Sequence, residues 1–301
     1  MWTALTITFP IIASFLNAIG ILASSCTVTL NLVEWARERR LNTCDQILVA
    51  LGISCTCYQT VRLAQLYHCF PWSDAPGMDY EAPILVQLRI WTESSSFWIT
   101  ACLCVFYCVK IVDFSHHIVF WVKLKITKVV PWILLGSVVG SFILSMPEFC
   151  ILYGGSSQNT ASNLTANSSL PGSELLSQRL YFYVSGFLGI ILPLLFGIIS
   201  VTLILMSLRQ HTKKMKNNAA AISRPRLEAH FRAARMVGSL LLVFVFYLVA
   251  KMVILNNPEH SFSFFSRIVV VSTTPAQSII LILGNTKLKN RLTAVLCPWR
   301  Q

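Results

Sequence analysis

The sequence predicts an all-α membrane protein: a bundle of seven transmembrane helices, N-terminus outside and C-terminus inside. Three observations carry this. Mean hydropathy is +0.64 and only 12% of the 301 residues are charged, against roughly 25% in a soluble domain. Seven apolar segments each reach the about 20 residues that cross a hydrocarbon core. Nineteen of the 24 Lys and Arg residues occupy every second connection between those segments. Lys- and Arg-rich loops stay in the cytoplasm, so an odd number of crossings orients both termini.

The spans are expected at about 4–33, 46–68, 84–112, 130–153, 181–208, 236–256 and 263–285, as one domain over residues 1–301. All are expected to be helical, because lipid offers no partner for open backbone groups. The first lacks a basic leader and is longer than a signal-peptide core, so it reads as a retained span. Fewer than about ten residues precede it, which places any ligand among the helices rather than on an outer domain. Arg37, Arg39 and Arg40 follow the first span, and Lys110, Lys123, Lys125 and Lys128 flank the exit of the third. Lys287, Lys289, Arg291 and Arg300 follow the seventh. Pro10, Pro131, Pro193 and Pro275 lie in or at the ends of spans, where kinks are tolerated if neighbours satisfy the freed carbonyls.

Two connections differ from the rest. Residues 154–180 form a long polar stretch with glycosylation sequons at Asn163 and Asn167, on the side that the charge rule independently places outside. Residues 209–235 form the most basic segment, with Arg209, Lys213, Lys214, Lys216, Arg224, Arg226, Arg232 and Arg235. Those charges serve as a topological anchor, a docking surface for a partner, or both.

Several classes are disfavoured. A net charge of +12 suggests nucleic acid, but the charges form loop clusters beside apolar spans. That pattern suits anionic membrane lipids and an acidic cytoplasmic partner. The ten cysteines lack His or carboxylate partners at ligand spacing and read as small apolar residues, so no metal or cofactor is expected. Cys69 and Cys150 both fall near outer helix ends, where a disulfide is geometrically conceivable. Cys297, near the inner face, is an acylation candidate. No nucleophile, His and carboxylate set is recognisable, and no enzyme is expected.

Five exceptions to the charge rule, Arg62, Arg89, Arg179, Lys251 and Arg267, are more informative. All of them but Arg179, together with Glu93, fall within or near the outer ends of spans. At about 1.5 Å per residue, Arg62, Glu93, Lys251 and Arg267 come to one level. Arg89 and Glu93 are four apart and share a helical face. The Arg and Lys side chains either snorkel to headgroups or face a cavity, while Glu93 is too short to snorkel far. The expectation is an outer-half cavity with a charged pair and extra positive potential, leaning toward acidic ligands.

Four segments carry a family resemblance: VEWARERRLNTCDQILVALGIS (33–54), FYCVKIVDFSHHIVFWVKLKI (106–126), SLRQHTKKM with PRLEAHFRA (207–215 and 225–233), and SIILILGNTKLK (278–289). In this order and on these sides they resemble the bitter taste receptors (taste receptor type 2), seven-helix G-protein-coupled receptors of about this length. The rhodopsin-like Asp-Arg-Tyr and Asn-Pro-x-x-Tyr are absent; Phe106, Tyr107 and Lys110 stand at the first, and Leu281, Ile282, Asn285 and Lys287 at the second. The resemblance implies small-molecule bitter ligands in an outer-half cavity and activation of a gustducin-type heterotrimeric G protein inside, in the plasma membrane. It implies ligand contacts at Arg89, Glu93, Phe244, Tyr247 and Arg267, and coupling through Tyr107, Lys110, Leu208, His211 and Lys214. Membrane lipids are further expected partners, and a homo- or hetero-oligomer is compatible.

The chain departs from the family at Cys55, where an Arg is usual, and at Gln277, where a His is usual. Arg89 and Glu93 stand where the family's usual pocket Trp and Asn would be. The rival classes are an odour or pheromone receptor and a seven-span transporter or channel. The transporter class should show broken helices in repeated halves, and the sequence carries no such repeat.

Overall fold

The computed structural model describes residues 2–39, 41–68, 83–112, 125–146, 180–181, 183–217, 224–256 and 261–296. Among them are seven helices long and apolar enough to cross a membrane. They are α1 (Trp2–Glu38), α2 (Thr43–His68), α3 (Pro83–Ile111), α4 (Lys125–Met146), α5 (Tyr183–Gln210), α6 (Arg224–Asn256) and α7 (Ser261–Gly284). An eighth helix, α8 (Thr286–Leu296), follows α7 and at 11 residues is too short to span. The sequence reading did not separate α8 from the basic tail.

Helix α4 begins at Lys125, before the expected start at 130. Its Lys125 and Lys128 therefore sit in its first turns rather than in the preceding loop. Beyond the span, the α5 backbone stays helical to Asn217 and α6 starts at Arg224, so the basic segment between them is largely helix. Pro10 is accommodated inside α1 and Pro275 inside α7.

Helix α3 is the axis of the bundle: 67% of its apolar window is buried, against 17% for α4. It packs on α2, α5 and α6, while α1 lies against α2 and α7. Water does not drive these helices together in lipid, so close approach and interhelical hydrogen bonds carry the packing. The Ser54 and Ser96 hydroxyls meet at 2.9 Å between α2 and α3. Thr56 donates to Ser24 at 2.9 Å between α2 and α1. Gln277 donates to Thr100 at 2.7 Å between α7 and α3. At Gly52 an added Cβ would lie 2.7 Å from Val28 Cγ2, so only glycine lets α2 approach α1 this closely. Trp91 Nε1 donates to the Val138 carbonyl at 3.0 Å, which holds α4 on α3. Outward faces carry Trp132, Leu242, Phe246 and Leu255, as a lipid-facing surface requires.

One apolar core of Leu48, Leu51, Ile99, Leu103, Val237, Leu240, Leu281 and Leu288 joins α2, α3, α6, α7 and α8. A second, from Phe97, Leu194, Phe244, Tyr247 and Val270, lies closer to the other end. Above it the helices part.

Candidate functional site: a charged cavity between the helices

A cavity of about 1280 Å³ opens at the end of the bundle that holds Arg62, Arg89, Lys251 and Arg267. Helix α1 contributes Phe9, Ala13 and Asn17, α2 Tyr58 and Arg62, and α3 Arg89, Glu93 and Ser94. Helix α6 supplies Leu248 and Lys251, and α7 supplies Arg267 and Val271. Helix α5 adds Phe187, Gly189 and Ile190 from a π-helical turn, Phe187–Ile191. The turn rotates the following residues relative to a regular helix. Gly189 lets α5 sit close to α3 here, since a Cβ would stand 3.1 Å from Ser94 Oγ and push that side chain back by a few tenths of an ångström.

Glu93 is the electrostatic centre. Its Oε1 accepts from the Tyr247 hydroxyl; Lys251 Nζ lies 3.4 Å from both carboxylate oxygens; Arg89 Nη1 is 3.7 Å from Oε2. Lys251 also donates to Tyr247 Oη at 2.8 Å and stands 5.3 Å from that ring's centroid. A carboxylate that is 8% exposed at membrane depth needs such partners to remain charged. The i,i+4 partner Arg89, expected from sequence, is the more distant one. Tyr247 and Lys251, four apart and on one face of α6, supply the nearer contacts. That spacing was legible, but their reach to Glu93 depends on the rotation of α6 against α3.

Below Glu93 lies a second, water-sized space of about 10 Å³, lined by Tyr58, Ser96, Phe97, Tyr247, Thr273 and Gln277. Of the expected ligand contacts, Arg89, Glu93 and Arg267 line the large cavity and Tyr247 lines the small one. Phe244 lines neither. It is buried edge-on against Phe97, with ring centroids 4.5 Å apart, and supports the floor. Sequence reasoning missed Tyr58, the α1 wall and the π turn. The α1 contribution has no charge or motif to mark it, whereas the glycines Gly186 and Gly189 were a signal of irregular backbone.

The expected coupling residues lie at the opposite end. Tyr107 Oη meets Cys44 Sγ at 3.1 Å, and the exposed Lys110 stands 5.8 Å from the centroid of the Phe106 ring. Leu208 is 2% exposed and packs with Cys108, Ile111, Ile204 and Ala234, so it is a core contact between α3, α5 and α6 rather than a surface residue. His211 and Lys214 belong to the helical backbone of α5; their side chains lie outside the described residues, as do Asn163, Asn167, Cys69, Cys150 and Cys297. Cys55 is fully buried in the core, and Gln277 holds α7 to α3.

The same end contains an ionic cluster that sequence reasoning did not find. Glu34 of α1 pairs with Lys287 and, at 2.8 Å, with Arg291, both from α8; Lys287 also lies 3.6 Å from Asp45 of α2. Asn285 caps α8, its Oδ1 accepting from the Lys287 backbone N–H at 3.1 Å. Partial burial works against the Lys287 ammonium, but the hydrogen bond to Glu34 and the charges of Asp45 and Glu34 outweigh it. Its pKa therefore lies above the ordinary 10.5.

Comparison with known proteins agrees with this architecture. The family described as "Taste receptor protein (TAS2R)" matches residues 1–300. The chain is 29% identical over 298 residues to a chimpanzee (Pan troglodytes) protein named taste receptor type 2 member 7, covering 95% of this chain and 90% of that one. It is 30% identical over 295 residues to taste receptor type 2 member 40 of Gallus gallus, covering 95% and 93%. It is 33% identical over 282 residues to taste receptor type 2 member 9 of Macaca mulatta, covering 90% and 87%. With seven membrane-capable helices and a family match along almost its whole length, the chain belongs to the taste receptor type 2 family, the bitter taste receptors, and is a multi-pass membrane receptor rather than an enzyme.

Proposed function

We propose that the receptor sits in the plasma membrane with the cavity end outside and α8 inside, and binds small bitter compounds in the Glu93 cavity. Binding there activates a gustducin-type heterotrimeric G protein at the opposite end. The observation that carries this reading is the cavity itself. Its volume of about 1280 Å³ admits a drug-sized molecule, and its walls come from all seven membrane-capable helices, α4 included through Ser141, Leu144 and Ser145, so a ligand touches every moving part. Ligand shifts the receptor only if it binds the active arrangement better than the resting one. A site shared by several helices meets that condition when the helices shift relative to one another.

In this reading Arg89, Glu93, Tyr247 and Arg267 contact or hold ligand and Phe244 supports them. Tyr107, Lys110, Leu208, His211 and Lys214 shape the G-protein face. Glycans on Asn163 and Asn167 belong to the outer side. The test is calcium release in cells carrying the full chain and a promiscuous G protein, screened with diverse bitter compounds. Responses are expected, and Glu93→Gln and Arg89→Ala should weaken them about tenfold or more, the loss of a charge-assisted contact. Responses to every agonist that ignore both substitutions would remove the cavity from the mechanism. Treatment with an endoglycosidase should increase gel mobility, and loss of both sequons should abolish that shift; unchanged mobility would count against the orientation.

A further inference from the structure

The cavity walls are electrically one-sided. Among the described residues, Arg62, Arg89, Lys251 and Arg267 face it with one carboxylate, Glu93. That carboxylate is already engaged: Tyr247 and Lys251 contact Oε1, and Lys251 and Arg89 flank Oε2. An ammonium ligand seeking Glu93 would have to displace Lys251 or Arg89 and would then stand among the remaining cations. With apolar walls limiting screening, that repulsion acts at close range.

Arg62 and Arg267 are in the opposite situation. Both line the cavity, and among the described residues neither makes an ion pair. A guanidinium in an apolar-walled cleft is suited to receive a planar anion through two parallel N–H donors. Around these charges the cavity presents Ile90, Leu248, Met252, Val270 and Val271, which suit a hydrocarbon or aromatic body.

We infer that this receptor is selective for organic anions, and that Arg62 and Arg267 are its specificity-determining residues. The preferred ligand carries a carboxylate or sulfonate on an apolar skeleton. Its acidic group meets these guanidiniums while its body lies against α3, α6 and α7. Glu93 is then not a receptor for amines. It holds Lys251 and Tyr247 in place and keeps the cavity's positive surplus from being larger still. The inference rests on the cavity being the ligand site of the proposed receptor.

The test uses the full chain in lipid nanodiscs and in calcium-reporting cells. The probes are a panel of aryl carboxylates and aryl sulfonates, each matched by skeleton with its methyl ester or primary sulfonamide and with an aryl-methylammonium ion. Anions are expected to raise the thermal unfolding midpoint of the purified receptor, with ammonium partners giving no rise. Arg62→Gln and Arg267→Gln should each lower anion potency about tenfold or more, since a charge-assisted hydrogen bond is lost. Arg62→Lys, which keeps the charge but not the fork, should fall between. Neutral partners should shift by less than about threefold in the same variants, the scale of a non-ionic contact, which also shows that the variants are folded. Equal stabilisation by ammonium partners, or anion potency indifferent to both Arg substitutions, overturns the inference. So does a panel in which no anion stabilises the receptor. Anion stabilisation without any calcium response would support the inference and count against the signalling role. Calcium responses confined to neutral or cationic compounds would do the reverse.

Discussion

At the scale of single residues, Glu93 presents the physical problem on which the cavity depends. A carboxylate this deep costs several kcal/mol in desolvation, and each donor around it returns part of that cost. Tyr247→Phe removes a hydroxyl that donates to Glu93 and accepts from Lys251. A hydrogen bond to a charged group contributes about 1.5–3 kcal/mol, so the purified receptor should lose at least that much stability in thermal or denaturant unfolding. Lys251→Met removes a charge from the same carboxylate and should destabilise as well. The double change Glu93→Gln with Lys251→Met should recover much of the loss, because neither member of the Glu93–Lys251 pair is left charged without the other. Additive losses in that double variant would mean that the two side chains do not act as a pair. Nothing in the spacing of residues around 93 shows this network, because its nearer members come from α6.

At the scale of elements, α8 shows how a charge pattern acquires a second role. Lys287 and Arg291 count among the basic residues that fix topology, yet the structure turns them back onto Glu34 and Asp45. Glu34 and Asp45 are 5% and 8% exposed at their side chains, so α8 closes over two carboxylates that have no other ion-pair partner among the described residues. Glu34→Gln should therefore release α8, seen as faster amide deuterium uptake over 286–296 with little change in α3. Uptake unchanged there would mean that the apolar contact of Leu288 with the core holds the helix alone. The sign of the Lys287 shift sets the pH behaviour. A raised pKa gives a contribution present below 10.5 and lost as pH rises through the higher folded value. Protection of α8 that depends on Lys287 should accordingly be flat between about pH 6 and 9 and fall only in strong alkali. A loss near neutrality would point to another group.

At the scale of the whole molecule, the sequence shows what one-dimensional patterns can carry. Span number follows from runs of apolar residues, the expected orientation from the sides on which Lys and Arg collect, and the common level of Arg62, Glu93, Lys251 and Arg267 from helical rise. What it does not carry is the rotation of one helix about its axis against the next. That rotation buries Leu208 and Phe244, carries Lys251 to Glu93, and brings Phe9, Ala13 and Asn17 into the cavity wall. The same geometry suggests where the two ends communicate. Between the cavity and the α8 end, Gln277 of α7 donates to Thr100 of α3 at 2.7 Å; both residues are buried, at 3% and 1% exposure. This bond lies under the water-sized space below Glu93 and ties the central helix to its neighbour. If activation slides α3 against α7 and breaks this bond, the bond stabilises the resting state selectively, and its removal shifts the population toward the active one. Thr100→Val keeps the shape and removes the acceptor. It should raise ligand-independent signalling, measured as basal calcium or G-protein turnover per receptor at the cell surface, and lower the agonist concentration needed for half response. Lower basal signalling at equal surface expression would place the bond in the active arrangement instead, and no change in either measure would remove the α3–α7 contact from the switch.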